Sequence, residues 1–364
     1  MSTSISAFSA LSFIGFVVSP IPFYWHLQAA NVGTCLYMFW SSIGCLNLFI
    51  NSCIWNGNTK NSAPVWCDIS TRVIIAENVA MPASILCITR QLYLLTGLTS
   101  GAVINKRRET IFGLTVGLAV PILQVVLSYI VQGNRFDIIE DVGCWPALVN
   151  THLTYILVLS WPLIIATASA SFGLCALYRF VAHRRDLRSL PSLNDSGTRY
   201  IRLTILASCD IFGTIPMCIY TIYYNTRSIE PWASWKTIHA GFSTVYVDPA
   251  SLWKASASFR TGFEITQWST VYCALAFFLL FGTISQEAVE HYQSAYRRVR
   301  SSVGRLAPGI SARTSTSTLS PTADVESLEG KPRVAVFDPS QSTFAASVLL
   351  DTVEKEPADK TTLS

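Results

Sequence analysis

The stretch VWCDISTRVIIAENVAMPASILCITRQLYLL, which runs from Val65 to Leu95, decides the fold of this chain. It is mostly apolar, and it is longer than the roughly 20 residues that a helix needs to cross a bilayer. It nevertheless contains four charged side chains, which are Asp68, Arg72, Glu77 and Arg90. Because charged groups are costly inside a membrane, we expect these four to face the interior of a helix bundle or to be paired.

The composition of the whole chain also indicates a membrane protein. Of its 364 residues, 51% are hydrophobic and only 13% are charged, which is about half the charged share of a soluble domain. Seven apolar segments are separated by clusters of polar residues, glycine and proline. We therefore predict an all-α membrane protein, a bundle of seven transmembrane helices. The predicted spans are about 6–24, 32–55, 65–95, 111–131, 153–181, 201–224 and 262–284.

The distribution of lysine and arginine predicts the orientation of the chain in the membrane. These residues are concentrated in one alternate set of connections, at 106–108, 179–202 and 297–305. Since cytoplasmic loops are enriched in basic residues, the N-terminus is predicted to be extracellular and the C-terminus cytoplasmic, in the plasma membrane. After the last span, residues 285–305 can form a basic amphipathic helix that lies on membrane lipid. The Ser/Thr-rich residues 306–364 are predicted to be a disordered cytoplasmic tail.

Two cysteines lie most clearly on the predicted extracellular side. Cys67 stands at the outer mouth of the third span, and Cys144 lies in the second external loop. Because this compartment is oxidising, we predict a disulfide that ties the loop to the bundle. Two free thiols are the alternative.

The spacing of the charges in the third span predicts their surroundings. Asp68 and Arg72 are four residues apart and therefore share a helical face, so we expect them to pair at the outer mouth. Glu77 points away from this pair, about halfway through the span, where it would face a polar cavity or hydrogen-bond a neighbouring helix. Arg90, near the inner end, could reach lipid phosphate or face a partner at the cytoplasmic mouth.

The residues also exclude several classes of function. The five histidines do not converge at one depth, as a metallohydrolase would need. A GxSxG elbow is absent, and the last span has no lysine for a retinal Schiff base. We expect no enzymatic activity, no cofactor or metal, and no nucleic-acid partner. A receptor remains, with a small-solute transporter that uses buried Glu77 and Asp210 as the alternative.

Four segments resemble the fungal a-factor-type pheromone receptors, which are class D G-protein-coupled receptors, and especially those of basidiomycete mating-type loci. They are WHLQAANVGTCLYMFWSSIGCLNLFINSCIWNGN (25–58), PVWCDISTRVI (64–74), LCITRQLY (86–93) and RYIRLTILASCDIFGTIP (199–216). The resemblance extends from about residue 20 to residue 300 and so includes all seven predicted spans.

The resemblance implies a receptor that binds a farnesylated, carboxymethylated peptide pheromone and starts the mating response. It would act through the alpha subunit of a heterotrimeric G protein, and the resemblance leaves homodimerisation open. The chain lacks the DRY and NPxxY motifs, as the family does. Family members often carry an arginine pair at the inner end of the third span, where this chain has Arg90 followed by Gln91.

This implied function assigns expected roles to two groups of residues. The expected ligand contacts are charged residues of the third span and aromatic residues of the long third external loop: Asp68, Arg72, Glu77, Trp232, Trp235, Tyr246 and Trp253. The aromatic residues could instead be anchors at the membrane interface. The expected G-protein contacts are basic: Arg90, Arg184, Arg185, Arg188, Arg199 and Arg202.

Overall fold

The structure is a computed structural model that describes residues 2–97, 105–182, 194–232 and 234–283, together with 289, 292–294, 296–298 and 300. Within these residues, seven helical segments are long and apolar enough to cross a membrane, which confirms the predicted seven-span bundle. We call them spans 1 to 7: Ser6–Gln28, Val32–Ile54, Pro64–Thr96, Lys106–Val131, His152–Ala182, Ile201–Asn225 and Arg260–Thr283. The predicted tail and most of the predicted juxtamembrane helix lie outside the described residues.

Spans 2 and 3 form the centre of the bundle. In each of them 67% of the most apolar stretch is buried, compared with 12% to 33% in the other five spans. Span 3 packs against spans 2, 4, 5 and 6. The largest apolar cluster joins Tyr37 of span 2, Ile85 and Ile88 of span 3, Leu206 of span 6 and Phe277 of span 7. The other spans therefore direct most of their apolar side chains outward, as a membrane protein surrounded by lipid requires.

Prolines interrupt several spans. Span 1 consists of two helices, Ser2–Val18 and Phe23–Gln28, with Pro20 and Pro22 between them. Pro82 lies inside the helix Pro64–Thr96, and Pro216 lies inside the helix Asn194–Asn225. In spans 4, 5 and 7 the helix widens into π-helical turns, at Thr115–Ala119, Tyr155–Leu159 and Phe278–Thr283.

Each of the first two π-helical turns is followed within three residues by a proline, Pro121 or Pro162. A proline has no N–H to bond the carbonyl four residues earlier, which is that of Gly117 or Val158 here. Each of these carbonyls accepts a hydrogen bond from a side chain of a neighbouring span. Trp40 Nε1 donates to Gly117 O at 3.0 Å, and Gln124 Nε2 donates to Val158 O at 3.3 Å. Side-chain donors from neighbouring spans thus compensate the missing backbone donors, which is how proline is tolerated inside a membrane.

A small three-stranded sheet, which the sequence analysis did not predict, covers one end of the bundle. Its strands are Phe136–Ile139 (β1), Gly143–Trp145 (β2) and Val245–Asp248 (β3), in the order β2-β1-β3. Strand β1 pairs antiparallel with β2 and parallel with β3. We call this sheet and the residues packed on it the cap, the end of the bundle that carries it the cap end, and the opposite end the far end.

The cap is fastened to the helices by a disulfide and by a buried cluster. Cys67, in the first turns of span 3, is bonded to Cys144 of β2, which confirms the predicted disulfide. Both sulfurs lie in an apolar cluster with Trp55, Phe136 and Ile138, all of them fully buried. Strands β1 and β2, which belong to the connection between spans 4 and 5, are therefore held against the ends of spans 2 and 3.

Candidate ligand groove and polar interior

The ion pair of Asp68 differs from the prediction. Its carboxylate accepts two hydrogen bonds from Arg135. Nε of Arg135 donates to Oδ1 at 2.9 Å, and Nη2 of Arg135 donates to Oδ2. The predicted pairing of Asp68 with Arg72 is present only as a Coulomb attraction between the two side chains, because the hydrogen-bonded partner of Asp68 is Arg135. The physical reason is that Arg135, immediately before β1, is held over span 3 by the disulfide-bound cap, and its planar fork satisfies both carboxylate oxygens at once.

Arg72 instead lines a groove on the side of the bundle. The groove has a volume of about 440 Å³ and lies between spans 2, 3 and 4. Its lining residues are Trp40, Asp68, Ile69, Arg72, Val73, Ala76 and Val125. Nη1 of Arg72 is buried and has no hydrogen-bond partner within the described part of the chain. The groove thus combines apolar walls with the guanidinium group of Arg72 and the carboxylate of Asp68.

Glu77 faces the interior of the bundle, further from the cap. Its Oε1 accepts a hydrogen bond from Thr270 Oγ1 of span 7 at 3.1 Å. Its carboxylate lies directly on Gly44 of span 2, where any Cβ would overlap it. The absence of a side chain at Gly44 is what allows a carboxylate to fit between spans 2, 3 and 7. One turn nearer the cap, Oδ1 of Asn47 is buried without a partner among the described residues.

A polar seam along span 2 was missed by the sequence analysis. Asn51 Nδ2 donates to Ser70 Oγ at 3.0 Å, and its Oδ1 accepts from Trp66 Nε1 at 2.8 Å. Nearer the far end, Ser41 and Ser19 share a hydrogen bond of 2.8 Å between their hydroxyls. The signal in the sequence was a recurrence of small and polar residues every three to four positions. These residues, all of them buried, are Ser41, Gly44, Cys45, Asn47, Asn51 and Ser52. Such a row is typical of a helix that packs closely on its neighbours in a membrane.

The aromatic residues predicted to contact a ligand, in the connection between spans 6 and 7, have different surroundings. Trp235 is 51% exposed and stacks on His239, with ring centroids 4.0 Å apart. Tyr246 on β3 is also exposed, whereas Trp253 is only 7% exposed and donates from Nε1 to the carbonyl of Glu140. Trp232 is partly buried. Trp253 is therefore a core residue of the cap, and Trp235 and Tyr246 are available to a ligand.

The exposed aromatic residues continue towards the groove. The rings of Tyr129, Trp235, His239 and Phe242 form one cluster, with centroid distances of 4.0 to 6.0 Å. Tyr129 is one helical turn beyond Val125, which lines the groove. We call these four residues the aromatic cluster.

At the far end, Arg90 has a partner that the sequence analysis did not identify. Its Nη1 bonds Oε2 of Glu109 on span 4 at 2.5 Å, and its guanidinium lies 3.9 Å from the ring centre of Phe112. The Arg90 and Glu109 side chains are only 17% and 23% exposed. Nearby, Arg179 of span 5 donates to the hydroxyl of Tyr93 at 2.7 Å. Spans 3, 4 and 5 are thus joined by arginines at this end.

Most of the other arginines predicted to contact a G protein lie outside the described part of the chain. Arg184, Arg185 and Arg188 lie outside the described residues, as does the side chain of Arg199. Arg202 lies near the start of span 6 and is partly buried. The backbone of Asp210 is helical, and its side chain lies outside the described part of the chain.

Comparison with known sequences identifies the family. Residues 7–301 match the STE3 family, described as pheromone A receptor. The chain belongs to this family. The match begins in span 1 and ends beyond span 7, so it includes the whole helical bundle with its groove and cap.

The individual proteins to which this chain is similar are receptors of fungi. The chain is 40% identical to the pheromone B alpha 3 receptor of Schizophyllum commune over 79% of its own length and 47% of the relative. It is 30% identical to pheromone receptor 1 of Mycosarcoma maydis, over 81% of the chain and 84% of the relative. It is 24% identical to the pheromone a factor receptor of Saccharomyces cerevisiae. The chain spans about half the length of the Schizophyllum relatives, and the transporter alternative receives no support from these STE3 receptors.

Proposed function

We propose that the protein is a G-protein-coupled receptor for a farnesylated peptide mating pheromone. The observation that carries this proposal is the family match, because it extends over all seven spans. In this proposal the pheromone binds at the cap end, and the far end activates the alpha subunit of a heterotrimeric G protein.

The proposed orientation places the cap end outside the cell and the far end in the cytoplasm, in the plasma membrane. Two independent features support it. The disulfide at the cap end requires an oxidising compartment. The basic clusters at 106–108 and 179–202 belong to connections at the far end, as expected for cytoplasmic loops. The N-terminus is then extracellular.

The cap end offers a surface of suitable chemistry for a lipidated peptide. The outward faces of Trp235 and Tyr246 are available to the peptide, and the aromatic cluster offers apolar surface to the isoprenoid chain close to the bilayer. Asp68 acts indirectly, since its bond to Arg135 holds the cap in position. Glu77 connects spans 2, 3 and 7 at the centre of the bundle and can thereby influence which arrangement of the helices is stable.

At the far end, the proposed coupling surface is basic. Arg202 and the arginines of the connection between spans 5 and 6 would contact the G protein. Arg90 would influence coupling through its bond to Glu109, because that bond joins spans 3 and 4.

The test is nucleotide exchange with purified components. The receptor is reconstituted in nanodiscs with a heterotrimeric G protein, and a panel of peptides ending in farnesyl-cysteine methyl ester is compared with the same peptides lacking the farnesyl group. We expect at least one farnesylated peptide to accelerate exchange, and its unmodified twin to be much weaker. Equal acceleration by both would refute the farnesylated ligand, and no acceleration across peptides from compatible mating partners would refute the receptor function.

A further inference from the structure

Strand β3 is the exposed edge of the cap sheet. In the order β2-β1-β3, the outer strands are β2 and β3. Strand β2 is held against the helices, since Cys144 is bonded to Cys67 and the first two residues of the strand are buried. Strand β3 is more open, because Tyr246 is 60% exposed and Val247 is 44% exposed.

The pairing with β1 determines which backbone groups of β3 point to its open side. In a parallel pair, alternate residues of a strand direct both their N–H and their carbonyl to the neighbouring strand, and the residues between them direct theirs to the other side. Glu140 N donates to the carbonyl of Asp248 at 3.0 Å, so Asp248 and Tyr246 are the residues bonded to β1. The backbone groups of Val245 and Val247 consequently point away from β1. No other segment within the described residues supplies these groups with a hydrogen-bond partner.

A strand edge of this kind is a template for a further strand. The four residues of β3 extend over about 13 Å at 3.3 Å per residue, which matches about four residues of an extended peptide. In such an addition, the main-chain hydrogen bonds supply affinity and the neighbouring side chains supply specificity. The open edge of β3 therefore fits a peptide better than it fits a compact small molecule.

The beginning of β3 lies beside apolar surface. Val245 follows Phe242 of the aromatic cluster through a turn in which Thr244 N donates to the carbonyl of Gly241 at 2.9 Å. The ring of Phe242 contacts that of Tyr129 at the end of span 4, close to the bilayer. An apolar group attached to one end of an added strand would be placed here.

The other end of β3 is acidic. Asp137 lies opposite Tyr246 in the register of β1 and β3, and Asp248 is two residues further along β3. Because side chains alternate between the faces of a sheet, these three lie on one face. The carboxylates of Asp137 and Asp248 repel each other through their charges. A positive charge on the added strand is therefore favoured at this end.

From these observations we infer that the peptide part of the pheromone binds as a fourth strand on the open edge of β3, antiparallel to it; this inference rests on the proposed function. The farnesylated cysteine is the C-terminal residue of such a peptide. Antiparallel pairing brings it to the beginning of β3, beside the aromatic cluster, and brings a basic group in the N-terminal part of the peptide to Asp248. A parallel strand would instead bring the lipid to the carboxylates.

The first test changes the edge itself. The probe is the farnesylated peptide that is most active in the nucleotide-exchange panel, and its affinity for receptor in nanodiscs is measured by surface plasmon resonance. Val247→Pro removes the outward N–H but no hydrogen bond to β1, and proline is tolerated at such a position of an edge strand. We expect it to weaken binding about tenfold. Val247→Thr keeps the N–H and a side chain of similar shape, so as the matched control it should change the affinity by less than about twofold.

The second test changes the peptide and does not depend on the folding of a proline variant. N-methylation of successive amides before the farnesyl-cysteine should weaken binding at every second position, because only alternate amides point to β3. A benzophenone attached in place of the farnesyl group should form cross-links within residues 235–242. Cross-links within residues 248–254, or equal effects of all N-methyl groups, would overturn the antiparallel strand.

The remaining outcomes separate this inference from the proposed function. If Val247→Pro and Val247→Thr bind an activating peptide equally well, the peptide does not pair with β3, although the receptor function stands. If no farnesylated peptide binds or activates, both the inference and the proposed function are wrong. If Val247→Pro abolishes receptor dimers and leaves the affinity for the peptide unchanged, the edge pairs two copies of the receptor and the inference is wrong.

Discussion

The bond between Arg90 and Glu109 makes a measurable prediction about the far end of the bundle. Two opposite charges 4 Å apart attract by about 4 kcal/mol at an effective dielectric constant of 20. Here the charged atoms are closer, and the side chains are only 17% and 23% exposed. Desolvation and lost side-chain freedom offset much of this attraction. We therefore expect a coupling energy of about 1.5–3 kcal/mol between the two side chains.

The assay is a double-mutant cycle. Arg90→Gln, Glu109→Gln and the double variant are unfolded by titration with a denaturing detergent, and the free energy of unfolding is measured from fluorescence. Each single change should cost about 2–3 kcal/mol, because it leaves a mostly buried charge unpaired. The double variant should cost clearly less than the sum.

The control is Arg107→Gln, which removes an exposed positive charge from the same helix as Glu109 and should alter the free energy of unfolding by less than about 0.5 kcal/mol. If the two single effects add within about 0.5 kcal/mol, the bond contributes nothing measurable, and the far end is not joined by this pair.

Two further predictions concern the interior and the cap. Gly44→Ala places a methyl group on the Glu77 carboxylate. It should lower the free energy of unfolding by about 1–3 kcal/mol, and Glu77→Ala in the same chain should restore most of that loss; a neutral Gly44→Ala would contradict the observed packing. Trp253→Ala should cost about 3–5 kcal/mol because the indole is buried, whereas Trp235→Ala should leave stability unchanged and weaken the response to pheromone. The reverse pattern would show that the two tryptophans have been assigned the wrong roles.

The parts of the fold that depend on local composition could be predicted from the sequence. Apolar runs of sufficient length determine the seven spans, since each run must satisfy its own backbone inside the membrane. The prediction of the disulfide between Cys67 and Cys144 rested on the same topology, because it placed both cysteines at one end of the bundle, on a side expected to be oxidising.

The errors arose where residues distant in sequence compete for one partner. Helical spacing alone predicted Arg72 as the partner of Asp68. The cap, however, brings Arg135 to the same carboxylate from a position 67 residues away. The sheet was missed for a related reason. Its strands have only three or four residues, too few to show an alternating pattern. Burial of Trp253 depends on that sheet and could not be foreseen without it.

Trp40 connects the groove to the irregular backbone of span 4, and this connection makes the last prediction. Trp40→Phe keeps the ring but removes the donor to the carbonyl of Gly117, which Pro121 cannot bond. An unpaired carbonyl in apolar surroundings costs about 1–3 kcal/mol. Pro121→Ala restores a backbone N–H at that position, so it should be harmful or neutral in the wild type but should recover stability in the Trp40→Phe chain. Unfolding of the four chains in mixed micelles measures the effect. If Pro121→Ala changes stability equally in both backgrounds, the indole is only a packing residue, and the π-helical turn before Pro121 does not depend on its hydrogen bond.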